Sequence, residues 1–412
     1  MTIATDIHTD LVTPLGAYLR LRRAGEPSFL LESVEKGRLG RHSFVGAGSR
    51  LLSFEEAERE VAGGKAVVGY LGYDHVAKLE PTVPLPPDGA GLPESRFLIA
   101  ETLVRLDHVT GVAEVLAGNR DEIAARLESA LPERRAEAVP SARTRRFPSR
   151  RSYEAGVRKA KEHIRAGDAF QIVLSQRAER PTSVSAVTLY RSLRRINPSP
   201  YLFLLELGEL SLVGSSPETH VKLVGTRASL NPIAGTIATG EGDAERLLAS
   251  EKDRAEHIML VDLGRNDLSR VCQPGTVRVG KFLEAERYSH VTHLVSEVAG
   301  ELRPGQSAFD LLRATFPAGT LSGAPKVRAM QIISELERYR RGPYAGAVGY
   351  ALPNGDLDTC IAIRTVILHD GLARMQAGAG LVADSDPAAE HQECLNKLAA
   401  LEAAIDDAES SS

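Results

Sequence analysis

Tyr344-Ala-Gly-Ala-Val-Gly-Tyr-Ala351, Thr359-Cys-Ile-Ala-Ile-Arg-Thr-Val-Ile-Leu368 and Ala373-Arg-Met-Gln-Ala-Gly-Ala379 follow one another near the C-terminus. Each segment has the length and composition of a strand, and turn residues separate the three. Apolar residues at helical spacing then predict a helix over Pro387–Ile405. Because strands follow strands without a helix between them, the pattern predicts an α+β fold with large, mostly antiparallel sheets. We expect the sheets to pack as a sandwich with flanking helices.

The same patterns extend this prediction outward along the chain. Further strands are predicted at Phe170–Arg177, Tyr201–Glu206, Ser211–Ser215 and Val221–Leu230. Further helices are predicted at Tyr153–Ala166, Glu245–Leu263, Ala308–Ala314 and Pro325–Tyr339. Nearer the N-terminus, short apolar runs between glycine- and proline-rich turns again predict antiparallel sheet.

A change of composition divides the chain. Residues 133–151 are rich in arginine and contain two prolines but few apolar side chains. Such a run could bind an acidic partner, but its composition is more typical of a solvated linker. We therefore predict an N-terminal region over residues 1–132, a linker over 133–151, a catalytic region over 152–407 and a frayed tail over 408–412.

The overall composition excludes several classes of protein. The chain has 412 residues and a net charge of −4, which does not suit nucleic-acid binding. Cys272, Cys360 and Cys394 are widely spaced and odd in number, so we expect reduced thiols rather than disulfides or a zinc site. The N-terminus has no signal-peptide pattern, and no apolar stretch approaches the roughly 20 residues of a membrane helix. We expect a cytoplasmic protein.

Two predicted helices each carry a pair of carboxylates. Glu390 and Glu393 share one helix face with Lys397, and Asp253 and Glu256 are also three residues apart. Either pair alone would fit an ordinary surface face with salt bridges. Two such pairs together favour a hard divalent cation, because Mg²⁺ takes oxygen ligands and completes its shell with water and an anionic substrate.

Three other features suit an anion. The segment Ala318–Lys326 is a glycine-rich turn before a helix N-terminus, where free N–H groups attract negative charge. The segment Gln376–Gly380 could expose main-chain N–H groups at the end of a strand. Arg364 lies in an otherwise apolar strand and needs an anionic partner. Together with the carboxylate pairs, these features indicate a Mg²⁺ site for a small polycarboxylate.

Longer motifs resemble a known family. They include the segments Phe170-Gln-Ile-Val-Leu-Ser-Gln-Arg177, Pro232-Ile-Ala-Gly-Thr236, Arg254–Asp267, Tyr288-Ser-His-Val-Thr-His293, Phe316–Lys326, Gly346-Ala-Val-Gly-Tyr350 and Gln376–Ser385. In this order they resemble the chorismate-utilising enzymes, and among them the anthranilate synthase component I family. The likeness extends from about Asp10 to Ile405. It implies the chorismate-binding synthase fold, with the active site between large sheets.

The resemblance also implies roles for individual residues. Glu256 and Glu393 would bind Mg²⁺, with Asp253 and Glu390 near the metal. Glu218 would be the general acid that protonates the departing C4 hydroxyl, and His293 and Thr320 would line the ring pocket as further catalytic residues. The residues implied to hold the substrate carboxylates are Tyr344, Arg364, Gly378, Gly380 and Lys397.

Two positions bear on the type of reaction. Related enzymes that add water to chorismate carry a lysine base where Gln171 stands, and an amide cannot deprotonate water. Aminodeoxychorismate synthases carry a nucleophilic lysine where Ala234 stands, and alanine cannot form that adduct. The remaining reaction is attack by ammonia followed by loss of pyruvate, which gives anthranilate. The family motif usually places arginine where Ile237 stands, and this departure puts full activity in question.

The resemblance further implies feedback inhibition by tryptophan. The residues implied to bind it are Leu31, Glu32, Ser33, Arg41, Asn197, Pro198, Ser199, Pro200 and Tyr201. No cysteine lies on a strand-to-helix turn as in a glutaminase, so a separate glutamine amidotransferase subunit would supply ammonia and form a hetero-oligomer. Two alternatives stay open: an aminodeoxyisochorismate synthase without the lyase step, and a catalytically weak regulatory paralogue that binds tryptophan.

Overall fold

The computed structural model describes residues 7–35, 38–132, 141–287 and 291–410. In chain order the strands are β1 (Ile7–His8), β2 (Ser28–Glu35), β3 (Arg38–Ala47), β4 (Leu51–Leu52), β5 (Val67–Leu71), β6 (Ser95–Ile99), β7 (Thr102–Asp107), β8 (Val112–Ala117), β9 (Arg145–Phe147), β10 (Gln171–Pro181), β11 (Tyr201–Leu207), β12 (Leu210–Ser216), β13 (Thr219–Val224), β14 (Arg227–Leu230), β15 (Ile233–Ala238), β16 (Arg278–Val279), β17 (Glu284–Arg287), β18 (Val291–Val295), β19 (Val298–Glu301), β20 (Gly323–Ala324), β21 (Ala347–Ala351), β22 (Leu357–Ile361), β23 (Thr365–His369) and β24 (Leu372–Leu381). The α-helices are α1 (Pro14–Leu21), α2 (Phe54–Ala62), α3 (Val76–Leu79), α4 (Arg120–Glu128), α5 (Arg150–Arg165), α6 (Ala186–Ile196), α7 (Asp243–Ala249), α8 (Glu251–Ser269), α9 (Ala308–Thr315), α10 (Lys326–Leu336) and α11 (Pro387–Ser410).

The described strands form three sheets. The large sheet has the order β1-β8-β7-β3-β2-β11-β12-β23-β24-β10-β20, with β9 also paired to β10. The second sheet has the order β16-β19-β14-β13-β22-β21-β5-β6-β4, and the small sheet has the order β15-β18-β17. The ladders that build them are antiparallel. The predicted α+β class with large antiparallel sheets is therefore confirmed.

The two larger sheets pack face to face. Phe29 and Phe203 of the large sheet share one buried cluster with Tyr70 and Val348 of the second sheet. Helices α1, α4, α6 and α11 cover the other face of the large sheet, and α2, α8 and α9 cover the other face of the second sheet. Both sheets thereby bury apolar side chains on two faces, which gives the expected sandwich with flanking helices.

The N-terminal and C-terminal regions are interleaved. Leu31 of β2 pairs with Phe203 of β11, and Gly69 of β5 pairs with Gly349 of β21. Each large sheet thus contains strands from both sides of the predicted linker. Within that linker, Arg145–Phe147 forms β9 beside β10, and residues 133–140 lie outside the described residues.

Several predicted elements are divided in two. The strand predicted at Thr359–Leu368 is β22 and β23, which are separated at Arg364 by a left-handed backbone with φ of 49°. The helix predicted at Glu245–Leu263 is α7 and α8, because Ser250 interrupts it and caps α8 through the Asp253 N–H at 3.3 Å. The strand predicted at Val221–Leu230 is the hairpin of β13 and β14.

The last helix is longer than predicted. It continues to Ser410 because Ala408 is buried against the large sheet and the buried Glu409 pairs with Arg180. The expectation of fraying from residue 408 is therefore wrong for residues 408–410, and residues 411–412 lie outside the described part. In the described ranges, no helix combines the length and apolarity that a membrane crossing requires.

Candidate active site

Glu218 lies in the turn between β12 and β13, where its main-chain oxygen accepts a hydrogen bond from the Ile361 N–H at 3.0 Å. Its partly buried carboxyl group lies near Thr320, Lys397 and Arg364. Burial raises the pKa of Glu218 to about 7, although all three neighbours act to lower it. A carboxyl group that keeps its proton close to neutral pH can serve as a general acid.

Arg364 lies at the break between β22 and β23. Its left-handed φ of 49° is unfavourable for a residue with a Cβ, and the cost is of the order of 1–2 kcal/mol. Burial lowers the pKa of its half-buried guanidinium, and the Glu218 carboxyl opposes this effect. Within the described residues, no hydrogen bond or ion pair engages this guanidinium. A half-buried arginine without a protein acceptor is suited to an anionic ligand.

Gly378 and Gly380 lie in the last part of β24, which ends at Leu381. Both pair with β10 on one side, but the pairing of β24 with β23 reaches only to Met375. Beyond Met375, no strand of the described part of the chain pairs with the other edge of β24. Its main-chain groups are thus exposed to the site by the early end of β23.

Each of these glycines also keeps space that a side chain would fill. A Cβ at Gly378 would lie 2.8 Å from the Tyr344 hydroxyl, and one at Gly380 would lie 2.8 Å from Nε2 of Gln171. The Nζ atom of Lys397 donates to the main-chain oxygen of Gly378 at 2.8 Å. The structure thus places Tyr344, Lys397 and both glycines around one part of the β24 edge.

The predicted metal ligands come from α8 and α11. The Nε2 atom of Gln171 donates to Oε1 of Glu256 at 3.0 Å, and Lys397 pairs with Glu393 at 2.7 Å. Burial raises the pKa of Glu390, and the negative charge of Glu393 adds to the effect. Accumulated negative charge of this kind suits a cation.

The donor set agrees with Mg²⁺ in kind. In the described ranges, no group of three histidine, cysteine or acidic side chains is arranged to hold a metal ion. Mg²⁺ does not need such a group, since it is usually bound through one or two protein carboxylates with water and substrate oxygens. Asp253 lies farther along α8, with its Cβ 3.2 Å from the point where a Cβ on Gly235 would stand. The carboxylate oxygens on α8 and α11 are therefore of the donor type that Mg²⁺ takes.

His293 lies on β18 of the small sheet. Its Nδ1 atom lies 3.1 Å from the main-chain oxygen of Gly235, which occupies a bulge opposite it with φ of 64°. Burial lowers the pKa of His293, and the nearby charge of Arg364 lowers it further, while the bond to Gly235 opposes both. The imidazole should therefore be neutral at physiological pH.

A sequence profile of chorismate binding enzymes matches residues 33–403. The chain belongs to the chorismate-binding enzyme family. The chain is 42% identical to anthranilate synthase component 1 of Thermus thermophilus, over 97% of this chain and 96% of that protein. It is 44% identical to the Streptomyces coelicolor protein of the same name, over 97% and 88%. The crystal structure of anthranilate synthase component I from Streptococcus pneumoniae superposes with a TM-score of 0.78 at 35% identity, covering 96% of this chain and 98% of that one. The family resemblance drawn from the motifs is confirmed.

In this chorismate-binding enzyme, most residues predicted to bind tryptophan come together between β2 and β11. Glu32 is buried, accepts a hydrogen bond from the Tyr190 hydroxyl and pairs with Arg194 at 3.1 Å. Burial raises the pKa of Glu32, while Arg194 and Tyr190 oppose the effect. Leu31 lies opposite Phe203 in the sheet.

The loop Asn197–Tyr201 leads directly into β11 beside Glu32. The main-chain oxygen of Asn197 accepts a hydrogen bond from the Ser215 hydroxyl, Ser199 is buried, and Pro198 is exposed. The Tyr201 hydroxyl lies 2.8 Å from Oγ1 of Thr219. Arg41 differs from the rest of this group, because its mostly exposed side chain pairs with Asp107 at 3.1 Å.

Two polar clusters near the site were not found from the sequence. The buried Arg341 pairs with Glu337 at 2.7 Å and donates to the Leu321 oxygen, next to Thr320. The buried Asp243 pairs with Arg287 and accepts from the Thr292 hydroxyl at 2.7 Å, next to His293. An Arg338–Arg341 run and an aspartate at a helix start are common surface patterns, so the sequence contains no signal that marks either cluster.

Proposed function

We propose that the chain is the synthase subunit of an anthranilate synthase. It would aminate chorismate with ammonia and eliminate pyruvate to give anthranilate, the first step of tryptophan biosynthesis. The observation that carries the proposal is that Glu218, with its pKa raised to about 7, lies near the Arg364 guanidinium, which makes no hydrogen bond or ion pair within the described residues. An acid and an anion-binding group side by side suit a carboxylate substrate whose leaving group needs a proton.

Different residues of the site would bind the substrate, donate the proton and hold the metal ion. Arg364, Tyr344 and the open edge of β24 would hold the carboxylates of chorismate. Glu218 would donate its proton to the C4 hydroxyl, which leaves as water while ammonia bonds to C2. Glu256 and Glu393, with Asp253 and Glu390 nearby, would hold Mg²⁺, which when bound would neutralise a substrate carboxylate.

The second step would remove the enolpyruvyl group. The C2 proton leaves, the bond between C3 and the ether oxygen breaks, and the three-carbon group departs as enolpyruvate, which becomes pyruvate when its methylene carbon takes up a proton. His293 lies beside Arg364 and is expected to be neutral, so it can accept a proton. The ring then becomes aromatic, which makes this step favourable.

Gln171 and the three cysteines support ammonia as the nucleophile and a partner subunit as its source. Gln171 donates its amide to Glu256, so this position presents an N–H group rather than a base toward the site. Cys272, Cys360 and Cys394 are all free and buried, and burial raises the pKa of each thiol. Buried neutral thiols are poor nucleophiles, so glutamine hydrolysis would be the task of a separate amidotransferase subunit.

Regulation and location are also proposed. Tryptophan would bind beside Glu32, where buried negative charge and the adjacent Asn197–Tyr201 loop could receive its ammonium and indole groups. A cytoplasmic location stays a prediction. Ile237 pairs with Thr292 in the small sheet, so an arginine there would lie beside the strand that carries His293.

The test is to incubate the purified chain with chorismate, Mg²⁺ and an ammonium salt at alkaline pH. Anthranilate fluorescence is followed, and the products are separated by chromatography. We expect anthranilate and pyruvate in equal amounts, and loss of both with EDTA or in Glu393→Ala. Glu402→Ala is the matched control, because Glu402 lies on the same helix and pairs at the surface with Arg146.

Each other outcome has a clear meaning. An amino-chorismate without pyruvate would replace the proposal with a synthase that lacks the lyase step. Equal activity in the presence and absence of EDTA would remove Mg²⁺ from the proposal. No turnover in the wild type or in Ile237→Arg would favour a regulatory paralogue that binds tryptophan.

A further inference from the structure

A separate cavity lies behind Tyr344. It has a volume of about 110 Å³ and is bounded on one side by β23 and β24 and on the other by the loop of residues 85–94. Apolar side chains on its wall include Leu85, Leu92 and Ile367. This volume is smaller than the about 150 Å³ of an apolar cavity that accommodates benzene, but the cavity opens beside the partly exposed Ala90 loop, so it suits a small organic molecule that extends toward that opening.

Two arginines on the cavity wall share one carboxylate. Arg177 also stacks on the Tyr339 ring at 4.4 Å, and Nη1 of Arg374 donates to the His369 oxygen at 3.3 Å. Arg177 and Arg374 both face the single carboxylate of Glu179, with Nε to Oε1 distances of 3.3 and 3.5 Å. In the described ranges, neither Nε atom makes a hydrogen bond, and both are buried. Both Nε atoms lie against Glu179 and are inaccessible to solvent, so the donors left for a ligand in the cavity are the terminal nitrogens of the two guanidinium groups.

The wall between this cavity and the candidate active site is thin. Tyr344 borders the cavity, and its hydroxyl also limits the space at Gly378 in the active site. Gln376 lies two residues before Gly378, borders the cavity, and donates to the Ser175 hydroxyl at 2.7 Å. A ligand in the cavity would therefore contact the reverse side of the wall that faces the substrate.

We propose that this cavity is a second anion site, which binds a small monocarboxylate with an apolar body. The carboxylate would accept hydrogen bonds from Arg177 and Arg374 and complete their charge, which Glu179 alone only half balances. The apolar body would lie against Leu85, Leu92 and Ile367. An inorganic anion would leave those apolar surfaces without a partner, so a carboxylate with a carbon ring or branched chain fits the lining better.

The experiment measures binding of benzoate by isothermal titration to the full chain without chorismate, ammonia or Mg²⁺. Benzamide is the matched uncharged ligand, and acetate is the matched anion without an apolar body. We expect benzoate to bind with a Kd of about 1 mM or tighter, and both comparison ligands to bind at least tenfold more weakly. Binding is measured without turnover, so a failure of this proposal can be distinguished from a failure of the proposed function on which the name of the active site rests.

Variants separate the two sites. Arg177→Gln should weaken benzoate binding at least tenfold, and Arg364→Gln in the active site should leave it unchanged. If Arg177→Gln unfolds, Ala90→Phe fills the cavity from its partly exposed loop and should also abolish binding. Binding that is lost in Arg364→Gln but kept in Arg177→Gln or Ala90→Phe would overturn the proposal. So would the absence of benzoate binding at about 10 mM.

Discussion

Arg341 and Arg364 lie 23 residues apart in the sequence, one on each side of Tyr344, and their side chains have different surroundings. The buried Arg341 donates to the oxygens of Leu321 and Val173 at 2.7 and 2.8 Å and pairs with Glu337 at 2.7 Å. Its guanidinium also lies over the rings of Tyr73 and Tyr344. Arg364 has a strained backbone and, within the described residues, no such contacts.

The difference separates a structural arginine from a ligand-binding one. Four of the five N–H donors of Arg341 have fixed acceptors, so this side chain holds the Thr320 turn and β10 together. The guanidinium of Arg364 is held near the site while its donors stay available. A buried charge without a partner is destabilising, so a fold retains one mainly where a ligand completes it.

The first prediction concerns Arg341. Arg341→Met leaves the Glu337 carboxylate buried without its counter-charge, and we expect a loss of about 3–5 kcal/mol in the free energy of unfolding. Urea unfolding followed by circular dichroism measures it. Arg338→Met is the control, because that side chain is exposed. Equal stability of the two variants would show that the Arg341 contacts contribute little.

At Arg364 we expect the opposite pattern, in which a substitution lowers activity but not stability. Arg364→Gln should lower kcat/KM for chorismate by about 10³-fold, because a charged contact to the substrate is lost. The free energy of unfolding should stay the same or rise, since a half-buried unpaired charge is removed. Arg364→Lys should recover only part of the activity, because lysine lacks the planar fork. A fall in stability that parallels the fall in activity would make Arg364 a structural residue like Arg341.

The third prediction concerns Glu218, the charged neighbour of Arg364. Glu218→Gln should lower kcat by about 10²-fold, which is within the range for loss of a general acid. In the wild type, kcat/KM corrected for free ammonia should fall as pH rises through about 7, because the raised pKa marks the loss of the acid form. The variant should lack this limb. A pH profile that is unchanged in Glu218→Gln would assign the proton to another group.

The same pKa shift has a consequence for stability. The pKa of Glu218 in the folded chain is about 7, above its ordinary value of 4.5, so the folded state binds the proton more tightly. Stability should therefore fall as pH rises from about 4.5 through 7. Glu218→Gln should be more stable than the wild type at pH 8, and the two should converge below about pH 4.5.

The comparison also shows what the sequence can and cannot provide. Periodicity and turn residues predict the antiparallel sheets and most helices, because these patterns are local. The sequence does not predict the break at Arg364, since one arginine in an otherwise apolar run gives no sign of a left-handed backbone. The sequence predicts that Gly378 and Gly380 lie near the end of a strand, but only the pairing of β23 with β24 shows where the free edge begins. Interleaving of the two regions depends on contacts between distant segments, which no local pattern records.

A substitution at Asp243 should have the smallest effect on activity, and it tests whether a buried ion pair outside the site fixes the position of His293. Its buried carboxylate joins α7 to the small sheet through Arg287 and the Thr292 hydroxyl, and Arg287 holds its pKa well below the usual range. Asp243→Asn keeps the shape but removes the charge, so we expect faster amide hydrogen exchange in β17 and β18 and a fall in kcat of about tenfold, with KM nearly unchanged. Asp262→Asn is the matched control, because Asp262 is exposed on α8 and forms a surface ion pair with Arg265. If exchange in β18 accelerates while kcat stays at the control value, the position of His293 does not depend on this ion pair. If neither changes, the Thr292 contact alone holds the small sheet in place.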